Sequence, residues 1–169
     1  MALSGWMKVH LCLAATGLSL GVIAAAAFVR FQNWHAIAWA LVSAFFAGAT
    51  LLLHIAHIKG LTEDWSSLRF RYVMLLGCLV QLGGVTSLVA YLSLGAALGQ
   101  GISGSAIYGN NFWIAAVWGW MTWKWGFSLF FWSRRYYRSF YPALVSEYQP
   151  SYHTQFASAS PKKAPQNKP

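Results

Sequence analysis

Residues 36–58 read AIAWALVSAFFAGATLLLHIAHI, a run without a single Asp, Glu, Lys or Arg. About 20 mostly apolar residues are enough for a helix to cross the hydrocarbon core of a bilayer. Moving outward, three more stretches meet that requirement: about Leu11 to Val29, about Tyr72 to Leu98, which is long enough to tilt, and about Phe112 to Trp132. Together they predict an all-α, polytopic membrane protein with four transmembrane helices. Composition agrees, because 57% of the 169 residues are hydrophobic and only 9% are charged. Soluble domains carry roughly 25% charged residues, so this chain lacks the polar material to cover a water-facing surface.

The net charge is +9, twelve Lys and Arg against three acids. In a soluble protein that excess would suggest nucleic acid. In a membrane chain it reads as positive-inside charge facing anionic lipid, with no nucleic-acid partner. Lys59, Arg69 and Arg71 lie between the second and third spans, and Arg134, Arg135, Arg138, Lys162, Lys163 and Lys168 follow the fourth. Residues 99–111 carry no charge, and residues 30–35 carry only Arg30. The positive-inside rule therefore predicts cytosolic N- and C-termini. Trp6, Trp34, Trp65, Trp113 and Trp132 fall near the predicted boundaries, as interfacial aromatics do. The first span has one signal-like feature set, Lys8 ahead of it and Ala24–Ala27 at its end, but its apolar run exceeds the usual signal core of roughly 7–15 residues. Residues 1–140 thus form the membrane domain. Residues 141–169 turn polar, hold all five prolines, and read as a cytosolic, largely disordered tail. Cys12 and Cys78 lie in apolar runs without ligand spacing and are expected to be buried apolar side chains.

Polar groups inside hydrocarbon are costly, so their positions carry the functional information. Ser43, Thr50, His54 and His57 are spaced 7, 4 and 3 along one face of the second span. Gln81 shares a face with Gly77 and Gly84 in the third. In the fourth, Trp120, Lys124, Ser128 and Arg135 share a side. The spacing predicts a bundle with a polar lane inside. Lys124, roughly 18 Å into its helix by helical rise, reads either as a cation snorkelling to the headgroups or as an inward charge for an anionic substrate. His54 and His57 read either as imidazoles bonded to neighbouring helices or as ligands of a metal or haem iron. Two histidines at this spacing, with no Cys or carboxylate beside them, do not make a zinc site. No acid falls within a predicted span, which argues against a carboxylate ion relay. The phosphate-loop pattern of ATP hydrolysis is missing, and no nucleophile, base and orienting group can be assembled, so an enzyme is not expected. Gly17 and Gly21 form a G-x-x-x-G that suits helix packing.

At the end of the fourth span, Trp132-Ser133-Arg134-Arg135-Tyr136-Tyr137-Arg138 mixes aromatics with arginines. It reads either as an ordinary flank with an aromatic belt or as a receptor for a flat, anionic, aromatic ligand. Here the chain resembles the haem-responsive gene (HRG) family of four-span haem transporters. Val117 to Phe127, VWGWMTWKWGF, is similar to that family's V-W-S-F-x-S-F-K-W-A-F. Trp132 to Tyr136 is similar to its aromatic-small-Arg-basic-Tyr motif, and His57 to Trp65 to its H-x7-W stretch. The resemblance implies four helices, cytosolic termini and haem movement into the cytosol from the extracellular or endolysosomal side. It assigns His57 as the haem-iron ligand, with His54 a neighbour lacking a counterpart. Trp132, Arg134, Arg135 and Tyr136 would receive haem at the cytosolic mouth. Lys124 matches the family lysine, and we read it as the partner of the haem propionates. The family's histidine between spans three and four has no counterpart in residues 99–111, so Tyr108 and His35 are the candidates for outer capture. Tyr141-Pro142-Ala143-Leu144 looks like a tyrosine-based sorting signal, which would engage sorting adaptors through Tyr141 and Leu144.

The expectation is a haem transporter or permease of the endosome, lysosome or plasma membrane. It holds no permanent cofactor; haem is its substrate, and lipid and a homo-oligomeric copy are its other partners. Two rivals stand beside it. A fixed-haem electron-transfer tetraspan usually needs facing histidines on two helices, yet the first, third and fourth spans offer only His10, at the edge of the first. A structural tetraspan without transport activity would need no histidine face.

Overall fold

The structure, a computed structural model, describes residues 5–101 and 108–142. They form four helices, α1 (Gly5–Arg30), α2 (Trp34–Ile58), α3 (Ser67–Ala97) and α4 (Phe112–Phe140), and contain no strand. The shortest, α2, has 25 residues and so is roughly 38 Å long, more than the ~30 Å hydrocarbon core. Helices α1, α2 and α3 are long and apolar enough to cross a membrane. Helix α4 has the length of a span, 29 residues, but is the least apolar of the four because it holds Lys124 and three arginines.

Three ends differ from the sequence expectation. Helix α1 starts six residues before Leu11, α3 starts five before Tyr72, and α4 runs eight past Trp132. Counting apolar residues locates the hydrocarbon core, whereas the backbone ladder continues into the headgroup region until something stops it. Asn33, Ser66 and Asn111 supply N-caps, accepting from the backbone N–H of Ala36, Arg69 and Ile114. Past α4 comes Pro142, which has no N–H to extend a helix. The tail reading for residues 141–169, including Leu144 of the sorting pattern, lies outside the described residues apart from Tyr141 and Pro142.

The helices stand side by side in the order α1, α2, α4, α3, and small residues make each contact. Gly21 of α1 lies against the Ala44 side chain and Ala40 carbonyl of α2. Gly77 and Gly84 of α3 lie on the backbones of Phe130 and Trp123 in α4, and Gly119 of α4 lies on Ser87. In a bilayer, close backbone approach through small residues replaces the hydrophobic drive that lipid cannot supply. Between α1 and α4 no two Cα atoms come within 8 Å. Cys12 is exposed rather than buried, because it lies about 160° round α1 from the buried Ala14–Gly17–Gly21 stripe; Cys78 is half-buried, and both are free.

One end of the bundle is tied by loop bonds. Asn33 Nδ2 donates to the Asn111 carbonyl at 3.0 Å, Trp34 N to Asn110 Oδ1 at 3.2 Å, and Gly109 N to the Phe31 carbonyl at 2.8 Å. At the opposite end, the Tyr141 hydroxyl donates to the Trp65 carbonyl at 2.6 Å. There Leu53, Phe70, Leu129 and Tyr136 form a buried core.

Candidate haem site

The last two turns of α2, the last three of α4 and the first two of α1 converge at the Tyr141 end. From α2 come His54 and His57, from α4 Trp132, Arg135 and Tyr136, and from α1 Trp6, Met7 and His10. His57 and the α1 and α4 residues line a cavity of about 790 Å³, within the roughly 300–1,000 Å³ of small-molecule sites. Its deeper wall is Phe127, Ser128 and Phe131. Among the described residues no acid lines it and its cation is Arg135, whose guanidinium carbon sits 5.3 Å over the Trp132 ring.

The two histidines of α2 hold different positions. His54 is buried, 1% exposed, with Nδ1 2.8 Å from the Tyr136 hydroxyl. His57 lines the cavity and stacks on the Tyr136 ring, centroids 3.7 Å apart and planes 17° apart. Its Nδ1 lies 3.2 Å from the Thr62 hydroxyl. When Nδ1–H donates to that oxygen, the Nε2 lone pair is free to ligate iron, the usual way a second partner fixes a ligand tautomer. Among the described residues no group of three or more His, Cys, Asp and Glu could hold a bare metal ion. A cofactor-sized iron complex needs only one or two such ligands, and indole and phenol faces suit a flat macrocycle.

The remaining predicted residues divide by position. Arg134 is exposed and points its guanidinium over Phe130 at 6.0 Å, outside the cavity wall. Lys124 is half-buried nearer the middle of α4, its Nζ 4.7 Å from the Trp125 ring centroid. His35 and Tyr108 belong to the opposite end. His35 Nδ1 is 3.2 Å from the Tyr91 hydroxyl, which also accepts a bond from Trp39 Nε1 at 3.0 Å. Tyr108 is 62% exposed and touches the edge of Phe31. The side shared by Trp120, Lys124, Ser128 and Arg135 is not one lane. Ser128 and Arg135 line the large cavity, while Trp120 lines a separate, apolar one between α3 and α4 with Leu88, Leu92 and Trp113. Of the hydroxyls in α2, Thr50 donates to the Phe46 carbonyl, whereas buried Ser43 Oγ has no hydrogen-bond partner among the described residues.

Sequence reasoning gave no site role to His10, whose ring lies 4.6 Å from Trp132 and 6.0 Å from His54, or to Tyr91. Its boundary reading of Trp132 also changes, since this ring faces the imidazoles of α1 and α2. A signal for the inward stripe was present in the heptad spacing of Trp118, Trp125 and Trp132.

The chain shares 34% identity over 131 residues with the heme transporter hrg-1 of Caenorhabditis elegans, covering 77% of this chain and 68% of the relative. Residues 70–125 match the family described as haem-transporter, endosomal/lysosomal, haem-responsive gene. The chain belongs to the HRG family. The family match spans α3 and the first half of α4, where the Gly77, Gly84 and Gly119 contacts lie, and stops before the Trp132–Tyr136 wall. No solved structure matches this HRG member. Its family is one of transporters rather than an enzyme class, and that family is endosomal and lysosomal.

Proposed function

We propose that this protein moves haem across the membrane, from the extracellular or endolysosomal side into the cytosol, as a substrate rather than a resident cofactor. The observation that carries the proposal is the cavity at the Tyr141 end. There two imidazoles, His57 and His10, face a wall of indole, phenol and guanidinium, and His57 is the one we assign to iron. Each group answers a part of the ligand: imidazole for iron, aromatic faces for the macrocycle, Arg135 for propionate carboxylates. Both termini are cytosolic in this reading, which puts the cavity beside the basic, positive-inside loops. Lys124, deeper in the bundle, is a second propionate partner, and His35 and Tyr108 are the outer capture candidates. The Tyr141-Leu144 pattern fits delivery to endolysosomes. No energy-coupling motif is present in the sequence, so movement follows the haem gradient and is drawn by cytosolic haem binders.

The test is uptake of a toxic haem analogue by haem-deficient cells that make equal amounts of wild type, His57→Ala and Lys124→Ala. Wild type sensitises the cells, and both variants protect them. Equal survival with and without the wild-type protein would reject haem transport and favour a structural tetraspan. Purification with stoichiometric, non-exchanging haem would instead favour the electron-transfer rival.

A further inference from the structure

We propose that haem crosses the bundle through the seam between α1 and α4, and that the Trp125 side chain is the gate that closes this seam at mid-membrane. The inference rests on the transport reading above and names its route. The seam differs from the other helix contacts. Elsewhere glycine and alanine bring backbones together, but here no Cα atoms approach within 8 Å, and the gap is filled by side chains alone. Three indoles at heptad spacing fill it. Trp132 meets His10, with ring centroids 4.6 Å apart. The Trp125 ring occupies the space where a side chain on Gly17 would be. Trp118 meets Phe28, with ring centroids 6.1 Å apart. Going down α4 by seven residues at each step goes along α1 in the opposite direction, the register of two antiparallel helices. The large cavity already occupies the His10–Trp132 end of this seam.

Trp125 is built to leave. Packing on Ala14 and Ala47 holds it in place, yet its buried Nε1 has no hydrogen-bond partner among the described residues. The indoles of Trp39 and Trp113 are bonded, to the Tyr91 hydroxyl and the Gln100 carbonyl. A buried donor left unpaired raises the free energy of the closed position. Ser43 Oγ on α2, one turn from Ala47, is likewise buried and without a hydrogen-bond partner among the described residues. The Lys124 ammonium rests on the Trp125 ring face at 4.7 Å. When the ring swings aside, a planar tetrapyrrole replaces it between α1 and α4. The indole N–H and the ammonium then become donors to its carboxylates.

Two readouts test this. In a Cys12→Ser, Cys78→Ser, Ala14→Cys protein purified in detergent, a water-soluble maleimide labels position 14 slowly. Adding Trp125→Ala speeds labelling about tenfold, equivalent to about 1.4 kcal/mol removed from the barrier, and added haemin slows it again. In cells, Trp125→Ala and the milder Trp125→Phe raise uptake of gallium protoporphyrin, while Trp120→Ala, on the α3 side of α4, leaves it unchanged. Should Trp125→Ala fail to fold, Trp125→Phe and the haemin protection carry the same readouts. Labelling that ignores both Trp125 and haemin, in a protein that still takes up porphyrin, overturns the seam and leaves transport standing. Haemin protection at position 14 without uptake by any variant keeps the seam as a binding lane and removes transport.

Discussion

At the scale of single residues, His54 and His57 are one turn apart in sequence but do different work. His54 is buried and bonded to the Tyr136 hydroxyl, whereas His57 presents its ring to the cavity. His57→Ala should therefore abolish the iron-linked absorbance shift of added haemin, and His54→Ala should leave that shift in place while lowering the melting temperature. If the absorbance shift survives in the His54→Ala, His57→Ala double variant, iron ligation lies elsewhere. Thr62 sharpens the point. Its buried hydroxyl lies 3.2 Å from His57 Nδ1, and by accepting from Nδ1–H it would hold the ring in the tautomer with Nε2 free. Loss of such an orienting partner typically costs 10–100-fold in metal affinity, so Thr62→Val should weaken haemin binding roughly tenfold in a titration. Unchanged affinity would show that Thr62 does not set the tautomer. The sequence made His57 legible, because its spacing to Trp65 resembles a known motif. Thr62 was not legible, since only the turn after α2, with Gly60 at φ +74°, folds that hydroxyl back on the ring.

Among the elements, the α3–α4 pair shows why glycine position outweighs glycine count. Gly83 and Gly84 are neighbours on α3, yet a side chain at Gly83 meets nothing within 4 Å and one at Gly84 meets the Trp123 backbone at 2.5 Å. Gly83→Ala should be neutral or stabilising by up to about 1 kcal/mol through helix propensity. Gly84→Ala should push α3 from α4 and lower the melting temperature in detergent and the amount of protein in membranes. Equal melting temperatures for the two variants would mean that the helices do not meet there. The existence and type of all four helices were readable from apolar length. Their order was not. Loop length does not give it either, since residues 59–66 join α2 to α3 by a shorter link than residues 98–111 join α3 to α4, yet it is α4 that packs on α2. That follows from the fit of Ala, Gly and Thr side chains, such as Thr122 reaching the Trp39 carbonyl at 3.4 Å.

Across the whole molecule, the candidate groups separate into two ends. His35 and His57 stand 22 residues apart on one helix, roughly 33 Å by helical rise. No single tetrapyrrole touches both, so the chain offers an outer station and an inner one, with Lys124 and Trp125 between them. Sequence placed these residues along the spans, but Tyr91 of α3, whose hydroxyl reaches both His35 and Trp39 of α2, became visible only once the four helices were assembled. Sites this far apart, with no shared partners, act independently on equilibrium affinity. His35→Ala should therefore leave haemin affinity at the inner cavity, read by titration of purified protein, within about twofold of wild type, since distant sites couple by no more than ~0.5 kcal/mol. The same substitution should cut cellular uptake of the analogue, because outer capture precedes the inner site in any route between the two ends. Inner affinity that falls together with uptake would instead mean that the two ends are one coupled unit, and that His35 acts by holding α2 in place.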